Sequence, residues 1–457
     1  MAQTHTANTP NTEPYFTLTP WRIAALAAAA LLGLLAHHFI AQPIPARAAG
    51  IIVFCLVLWL SEAVPVFAPT LALFVLTPAL LGPLDPAYHL KHVMLWAGEP
   101  VLILFFGGFT LGVAAAHHGI DHVIAHGALS AARGRPLLLV PMIAAATAFL
   151  SMWMSNIAAA ALMIAAVGPL LRHQDTNLRA ALLLAVAFGA NLGGMATPIG
   201  TGPNAIALAA MPEGAAPTFL EWMAFAVPLT VLTLAAASAL ILLRHPVSGH
   251  LPLHEPPQPA EPSTQRPRLV ATLAAVTIAA WLSEPLHGVP APVVSLALAT
   301  VLFGVGLLPA TALRKIDWST LIVIAGGIAL GRLIEHTGLF SEFSARIAAL
   351  ETHPIILTGI LVAASAVMSS LMSNTATATL LIPLATSLEP GRFELPILIA
   401  IGASFGMPFV ISTPPNAMVV GAGLRPRELL WPGLILMLAG CLLITLTGRQ
   451  ALQILGL

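Results

Sequence analysis

The sequence predicts an all-α polytopic membrane protein with about 11 transmembrane helices plus two re-entrant hairpins, arranged as two inverted repeats. Three observations predict it. Of 457 residues, 58% are hydrophobic and only 8% charged, where soluble domains carry roughly 25% charged residues. Apolar stretches recur from Trp21 almost to the C-terminus, each long enough to cross a hydrocarbon core of about 30 Å. Four short motifs of the first half return in the same order in the second. Basic and acidic residues balance at 18 each, so charge points to no nucleic-acid partner. The partners expected are the lipid bilayer and a small solute.

Residues 1–20 form a polar leader without Lys or Arg, so the apolar run at 21–41 reads as a retained first transmembrane helix and not as a cleaved signal. Repeat 1 occupies 49–243, with spans near 49–64, 66–83, 100–117, 180–206 and 217–243. A proline-rich cytoplasmic linker follows at 244–268. Repeat 2 occupies 269–447, with spans near 268–287, 290–309, 318–337, 395–424 and 430–447. Two apolar stretches, 137–171 and 354–388, are too long for one crossing, and each carries a Ser-Asn pair in its middle. A helix–turn–helix hairpin entering partway is the better reading, because non-helical backbone at that depth is tolerated only inside protein or facing a cavity.

The repeats are read from paired motifs. Trp59-Leu60-Ser61-Glu62 returns as Trp281-Leu282-Ser283-Glu284, and Gly107-Gly108-x-x-Leu111-Gly112 as Gly326-Gly327-x-x-Leu330-Gly331. Ser155-Asn156 returns as Ser373-Asn374, and Thr201-Gly202-Pro203-Asn204 as Thr413-Pro414-Pro415-Asn416. The offsets drift slowly (222, 219, 218, 212), as expected of a duplication. Five full spans per repeat is an odd number, so the second copy runs upside down, as in many secondary transporters. With the N-terminus inside, Arg22, Arg133, Arg135, Arg172, Arg179, Arg244, Arg266, Arg268, Arg314, Lys315, Arg425 and Arg427 fall on the cytoplasmic side. Arg47, Lys91, Arg332, Arg346, Arg392 and Arg449 fall outside, which obeys the positive-inside tendency. The location expected is a bacterial cytoplasmic (inner) membrane.

Four interrupted segments carry the functional argument: the hairpin tips Ser151–Ile157 and Ser369–Thr375, and the breaks Thr197–Asn204 and Ser412–Asn416. Pro198, Pro203, Pro414 and Pro415 remove helix hydrogen bonds and unwind their helices. Unwound backbone offers carbonyls to a small cation and helix N-termini to an anion. Ser and Asn add neutral oxygens for a hard cation and amide donors for a carboxylate. Alone, such a residue is more often packing glue between helices; the same pair, repeated at matching positions beside matching proline breaks, reads as a binding site. The segments 137–171, 180–212, 354–388 and 395–424 hold no Asp, Glu, Lys, Arg or His. An anion bound there needs helix dipoles and a co-bound cation, which favours sodium over proton coupling.

At these residues, from about Trp59 to Thr447, the sequence resembles the divalent anion:sodium symporter (DASS, INDY-type) family of carboxylate and sulfate transporters. That resemblance implies a homodimer with a scaffold and a mobile transport domain moving as an elevator. It implies sodium-coupled symport of a small di- or tricarboxylate, a C4-dicarboxylate first, or a similar divalent anion. Carried over by position, one sodium site uses Ser151, Ser155, Asn156 and the Gly200 carbonyl. The other uses Ser369, the Met372 carbonyl, Asn374 and Ser412. The substrate meets Asn156, Asn374, Thr375, Thr413 and Pro414. Two departures stand out: Ile157 occupies the place of a substrate-facing threonine, and Thr201-Gly202-Pro203-Asn204 replaces the usual double proline.

The cluster His117, His118, Asp121, His122 and His126 has helical spacing, and an amphipathic surface helix accounts for it better than a metal site. Glu62 and Glu284 end spans as cap or interface residues. Cys55 and Cys441 sit in apolar runs and give neither metal spacing nor a disulfide framework. No HExxH, GxSxG or GxxxxGK(S/T) occurs. The rivals are a sodium-independent anion exchanger of the same fold and, from another class, a channel or intramembrane enzyme. A channel needs a continuous polar pore lining and an enzyme needs buried ionisable groups; the sequence offers neither.

Overall fold

A computed structural model describes residues 19–171, 176–212, 214–247, 266–339, 353–389 and 391–457. Leader residues 1–18, linker residues 248–265, Arg172 and Arg346 lie outside the described residues. Every regular element described is helical. Proline opens many of the helices, at a position where its missing N–H costs nothing: α1 (Pro20–His38), α2 (Pro43–Ser61), α5 (Pro100–His117) and α7 (Pro136–Ser151) start this way. Between them lie α3 (Ala68–Leu80), α4 (Leu90–Leu95) and α6 (Ile120–Ala131). The first half continues with α8 (Asn156–Leu171), α9 (Thr176–Gly193), α10 (Gly202–Ala209) and α11 (Phe219–Arg244). Thr218 and Glu221 close a reciprocal capping box at the start of α11.

The second half has α12 (Pro267–Leu282), α13 (Glu284–His287), α14 (Ala291–Gly304) and α15 (Trp318–Thr337). It goes on with α16 (Pro354–Ser369), α17 (Asn374–Leu388), α18 (Glu394–Ser404), α19 (Pro414–Gly421), α20 (Pro426–Leu443) and α21 (Arg449–Ile454). A π-helical stretch, Ile444–Gly448, joins the last two, so the final helix runs on to Ile454, past the expected end at 447. Seven of the described helices are long and apolar enough to cross a membrane, and others of 10–17 residues are apolar but shorter. The chain is an all-helical multi-pass membrane protein.

Every residue from Ala180 to Gly200 is buried, and so is every residue from Leu395 to Pro408. These two segments, α9 and α18 with their breaks, form the centre of the molecule. Both are seated by glycine. Methyl groups added at Gly189 and Gly193 would strike Ala144, Thr147 and Ala148 of α7; one at Gly406 would strike Ala366 and Ser369 of α16, and one at Gly402 would press tightly on Val362. The paired Gly-Gly motifs do different work, bringing the halves together. Gly107 of α5 lies against Ser295 of α14, and Gly326 of α15 against Thr70 of α3.

Candidate functional site

Each hairpin tip is built on the same few atoms. Ser155 and Ser373 accept from the backbone N–H groups of Ala158 and Ala376, both at 3.2 Å, as N-caps that start α8 and α17. That places Asn156 and Asn374 in the first turn of those helices. One turn before the tip, the Ser151 hydroxyl lies 2.7 Å from Asn156 Oδ1 and 2.7 Å from the Ala190 carbonyl. In the second tip, the Ser369 hydroxyl lies 2.6 Å from Asn374 Oδ1 and 2.7 Å from the Ala403 carbonyl. A hydroxyl has one proton to give. Each tip therefore keeps one oxygen that the serine does not satisfy.

The breaks are stapled by their asparagines. Asn204 Nδ2 donates to the carbonyls of Gly194 (3.1 Å) and Thr197 (2.8 Å). Asn416 Nδ2 donates to those of Met407 (3.0 Å) and Phe409 (2.8 Å). With its amide fixed this way, Asn416 Oδ1 accepts from Asn191 Nδ2 at 3.0 Å, a buried link between the repeats. Thr413 caps α19 by accepting from the Asn416 N–H at 3.3 Å. Each break is also tied to a tip. The Ser412 hydroxyl donates to the Ser370 carbonyl at 2.9 Å, and in the first repeat Thr197 donates to the Met152 carbonyl at 2.6 Å.

The first break lies between the two tips. Beside Gly194, one point lies within 2.7 Å of Asn156 Oδ1 and 3.2 Å of the Gly200 carbonyl oxygen, and a methyl group added at Gly202 would strike Thr375. The structure thus brings Ser151, Asn156 and Gly200 together as one group of oxygens, and in the second tip pairs Ser369 with Asn374 while Ser412 is joined to the Ser370 carbonyl. Met372 is buried in the second tip. Ile157 is 46% exposed and Pro414 is exposed, so neither is held in the packed interior. The residues not anticipated are Asn191, Gly194, Thr197 and the carbonyls of Ala190 and Ala403. Gly193-Gly194, two residues ahead of Thr197-Pro198, was the available signal: paired glycine beside a break marks close backbone approach.

Two cavities approach these groups. One of 490 Å³ reaches Met154 and Ser155 of the first tip and is also lined by Phe109, Gly112, His117, Asp121, Lys315 and Asp317. The other, of 1380 Å³, reaches Pro198 and Ile206 and is lined by Glu99, Glu284, Arg332 and Glu335 among others. Glu284 opens α13 and its Oε2 accepts from the first N–H of α14, Ala291, at 3.2 Å, so it caps the start of a helix, whereas Glu62 ends α2 in a left-handed conformation (φ 49°). His118 is buried and in contact with the Leu307 carbonyl at 3.0 Å, and α6 forms from Ile120 onward. No group of three or more His, Cys, Asp or Glu side chains placed to hold a metal ion occurs among the described residues.

Comparison with known proteins supports this reading of the fold. The chain covers 80% of its length in a 26% identical match to the sodium-dependent dicarboxylate transporter SdcS of Staphylococcus saprophyticus, and 78% of that protein. It is also 26% identical to the inorganic phosphate transporter PHO87 of Saccharomyces cerevisiae, over 83% of this chain and 43% of that protein. Among solved structures, the YdaH transporter of Alcanivorax borkumensis shares the fold, with a TM-score of 0.56 at 14% identity over 93% of this chain and 97% of that one. The citrate transporter (CitMHS) family matches residues 56–396, well over half of the chain. The chain therefore belongs to the citrate transporter family, related to the divalent anion:sodium symporters, and is a transporter and not an enzyme.

Proposed function

We propose that the chain is a secondary active transporter that carries a small di- or tricarboxylate, a C4-dicarboxylate first, together with sodium ions. The observation that carries the reading is the serine–asparagine pairing, made twice. At each tip one hydroxyl proton faces two acceptors at 2.6–2.7 Å. Whichever acceptor the proton serves, an oxygen lone pair is left, and a desolvated sodium ion is what such an oxygen accepts. Ser151, Ser155, Asn156 and the Gly200 carbonyl would serve the first ion. Ser369, Asn374, Ser412 and the Met372 carbonyl would serve the second. The anion would lie between the tips, against Asn156, Ile157, Asn374 and Thr375 and the starts of α10 and α19, at Thr413 and Pro414. The match to a sodium-dependent dicarboxylate transporter points the same way. The match to a phosphate transporter makes inorganic phosphate the competing substrate.

We further propose that the chain acts as a homodimer in a bacterial cytoplasmic membrane, with the hairpins and breaks moving as one transport domain against the remaining helices. The deciding experiment is uptake of labelled succinate, citrate, sulfate and phosphate into proteoliposomes, with an inward sodium gradient or in choline buffer. Symport predicts accumulation of succinate or citrate that collapses without sodium. Uptake by preloaded vesicles that is equal in choline and in sodium would replace symport with exchange. A preference for phosphate would overturn the carboxylate assignment.

A further inference from the structure

The two cavities are related by the inverted repeat. Phe109, Gly112 and Val113 of α5 wall the smaller one, and their equivalents Ile328, Gly331 and Arg332 of α15 wall the larger. One helix face thus builds an antechamber on each side of the molecule, but the charges in the two differ. In the larger, the Arg332 guanidinium is taken up by Glu99 at 3.0 Å and Glu335 at 3.3 Å. In the smaller, Lys315 is the single Lys or Arg of the wall. Neither acid of that wall holds it. The two carboxylate oxygens of Asp317 accept from the Thr320 N–H at 3.0 Å and the Thr320 hydroxyl at 2.7 Å, capping α15. Asp121 is 3% exposed, and burial pushes its carboxyl above the usual range although it accepts from the His122 N–H at 2.8 Å. Among the described residues no ion pair includes Lys315.

We infer that Lys315 is an anion-capture residue: its ammonium holds the anionic solute in the antechamber that opens on Ser155, at the step between the hairpin tip and bulk water. The inference rests on the anion-transport reading. A flexible ammonium suits the task, because it attracts a carboxylate without fixing its orientation and releases it readily. The alternative is that Lys315 serves only as a positive-inside anchor. Arg314 separates the two, since it has the same topological value but does not line the cavity.

The test measures the half-saturating succinate concentration from each face, in inside-out and right-side-out membrane vesicles. Lys315→Ala should raise it about two- to fivefold on the Lys315 face only, the range for one solvent-reachable charge pair. The difference should shrink in high salt, Lys315→Arg should retain the parent value, and Arg314→Ala should match the parent. Parent-like saturation by Lys315→Ala on both faces would overturn the capture role alone. So would an equal change on both faces, or the same change in Arg314→Ala. If the parent carries none of succinate, citrate, sulfate or phosphate, the anion-transport reading fails first and the capture role falls with it.

Discussion

Replacing Gly194 by alanine adds one carbon atom at the point where the first tip meets the first break. The new methyl would lie 2.7 Å from Asn156 Oδ1, 3.2 Å from Asn156 Nδ2 and 3.2 Å from the Gly200 carbonyl oxygen. Ordinary contact begins near ~3.4 Å, so the amide must retreat by about 0.7 Å. The backbone cannot share that retreat freely, because Asn204 holds the Gly194 carbonyl at 3.1 Å. Moving the amide strains the 2.7 Å contact to the Ser151 hydroxyl, which has little room to lengthen within the O–H···O range of about 2.5–3.0 Å. A buried acceptor left unmade costs about 1–3 kcal/mol, which is about 5- to 150-fold in a binding equilibrium. The expected result is a sodium half-saturation raised about tenfold or more in uptake by proteoliposomes, with the protein still monodisperse in detergent. Gly127→Ala in α6 is the control, since a methyl there meets nothing within 4 Å. If Gly194→Ala protein shows the parent's sodium half-saturation, Asn156 and Gly200 do not share an ion.

Three further outcomes follow from the same geometry. Asn156→Ala and Asn374→Ala each remove an amide that on the proposed reading faces both ion and anion, so uptake should fall steeply while purified yield persists; normal uptake by Asn374→Ala protein would sink the site. Ile157→Thr adds a hydroxyl donor at a position 46% exposed, so dicarboxylates should compete more strongly than in the parent; identical competition profiles across an anion panel would place residue 157 away from the substrate. No ionisable side chain lies in the hairpins or breaks, so the transport rate should follow substrate ionisation alone when pH is varied at fixed sodium, and a separate titration step would contradict a neutral site.

The duplication was legible because it repeats chemistry that membrane helices otherwise avoid. Proline in mid-helix and Ser-Asn in an apolar run carry a cost, so their return at drifting offsets is informative. The structure aligns the same positions, with Ser151 and Ser369 in one role and Asn204 and Asn416 in another. The halves' mutual packing was not legible, because Gly107 and Gly326 look alike in sequence and only the fold shows them meeting Ser295 and Thr70. Thr197 was passed over for a related reason. Its counterpart in function is Ser412, but it stands seven residues before Asn204 (204 − 197), where Ser412 stands four before Asn416 (416 − 412). Aligning motifs finds residues that keep their position, and this hydroxyl keeps its partner while changing its position. Asn191 has no such pattern, since its role depends on an oxygen 225 residues away.

On the proposed reading, the two repeats differ in a way that separates the ion from the anion. Ser151 and Ser369, Asn156 and Asn374, and the carbonyls of Ala190 and Ala403 make the same contacts in both halves, within 0.1 Å. A sodium ion is spherical and needs only oxygens at the right distance, so both copies can serve one ion each without divergence. The residues that would face the anion have diverged: Ile157 against Thr375, and Gly202 against Pro414. On the proposed reading, one end of a bound dicarboxylate meets a threonine hydroxyl packed against Gly202, while the other meets an isoleucine. A carboxylate beside an apolar side chain forgoes a hydrogen bond that water would have made. The two ends of a symmetric dianion are therefore held unequally, and the second charge must be met by the helix N-terminus and the nearby sodium alone. An anion whose second group is smaller or less strongly hydrated loses less there. On this reading, selection among anions would turn on the first repeat, and retention of sodium on what the repeats still share.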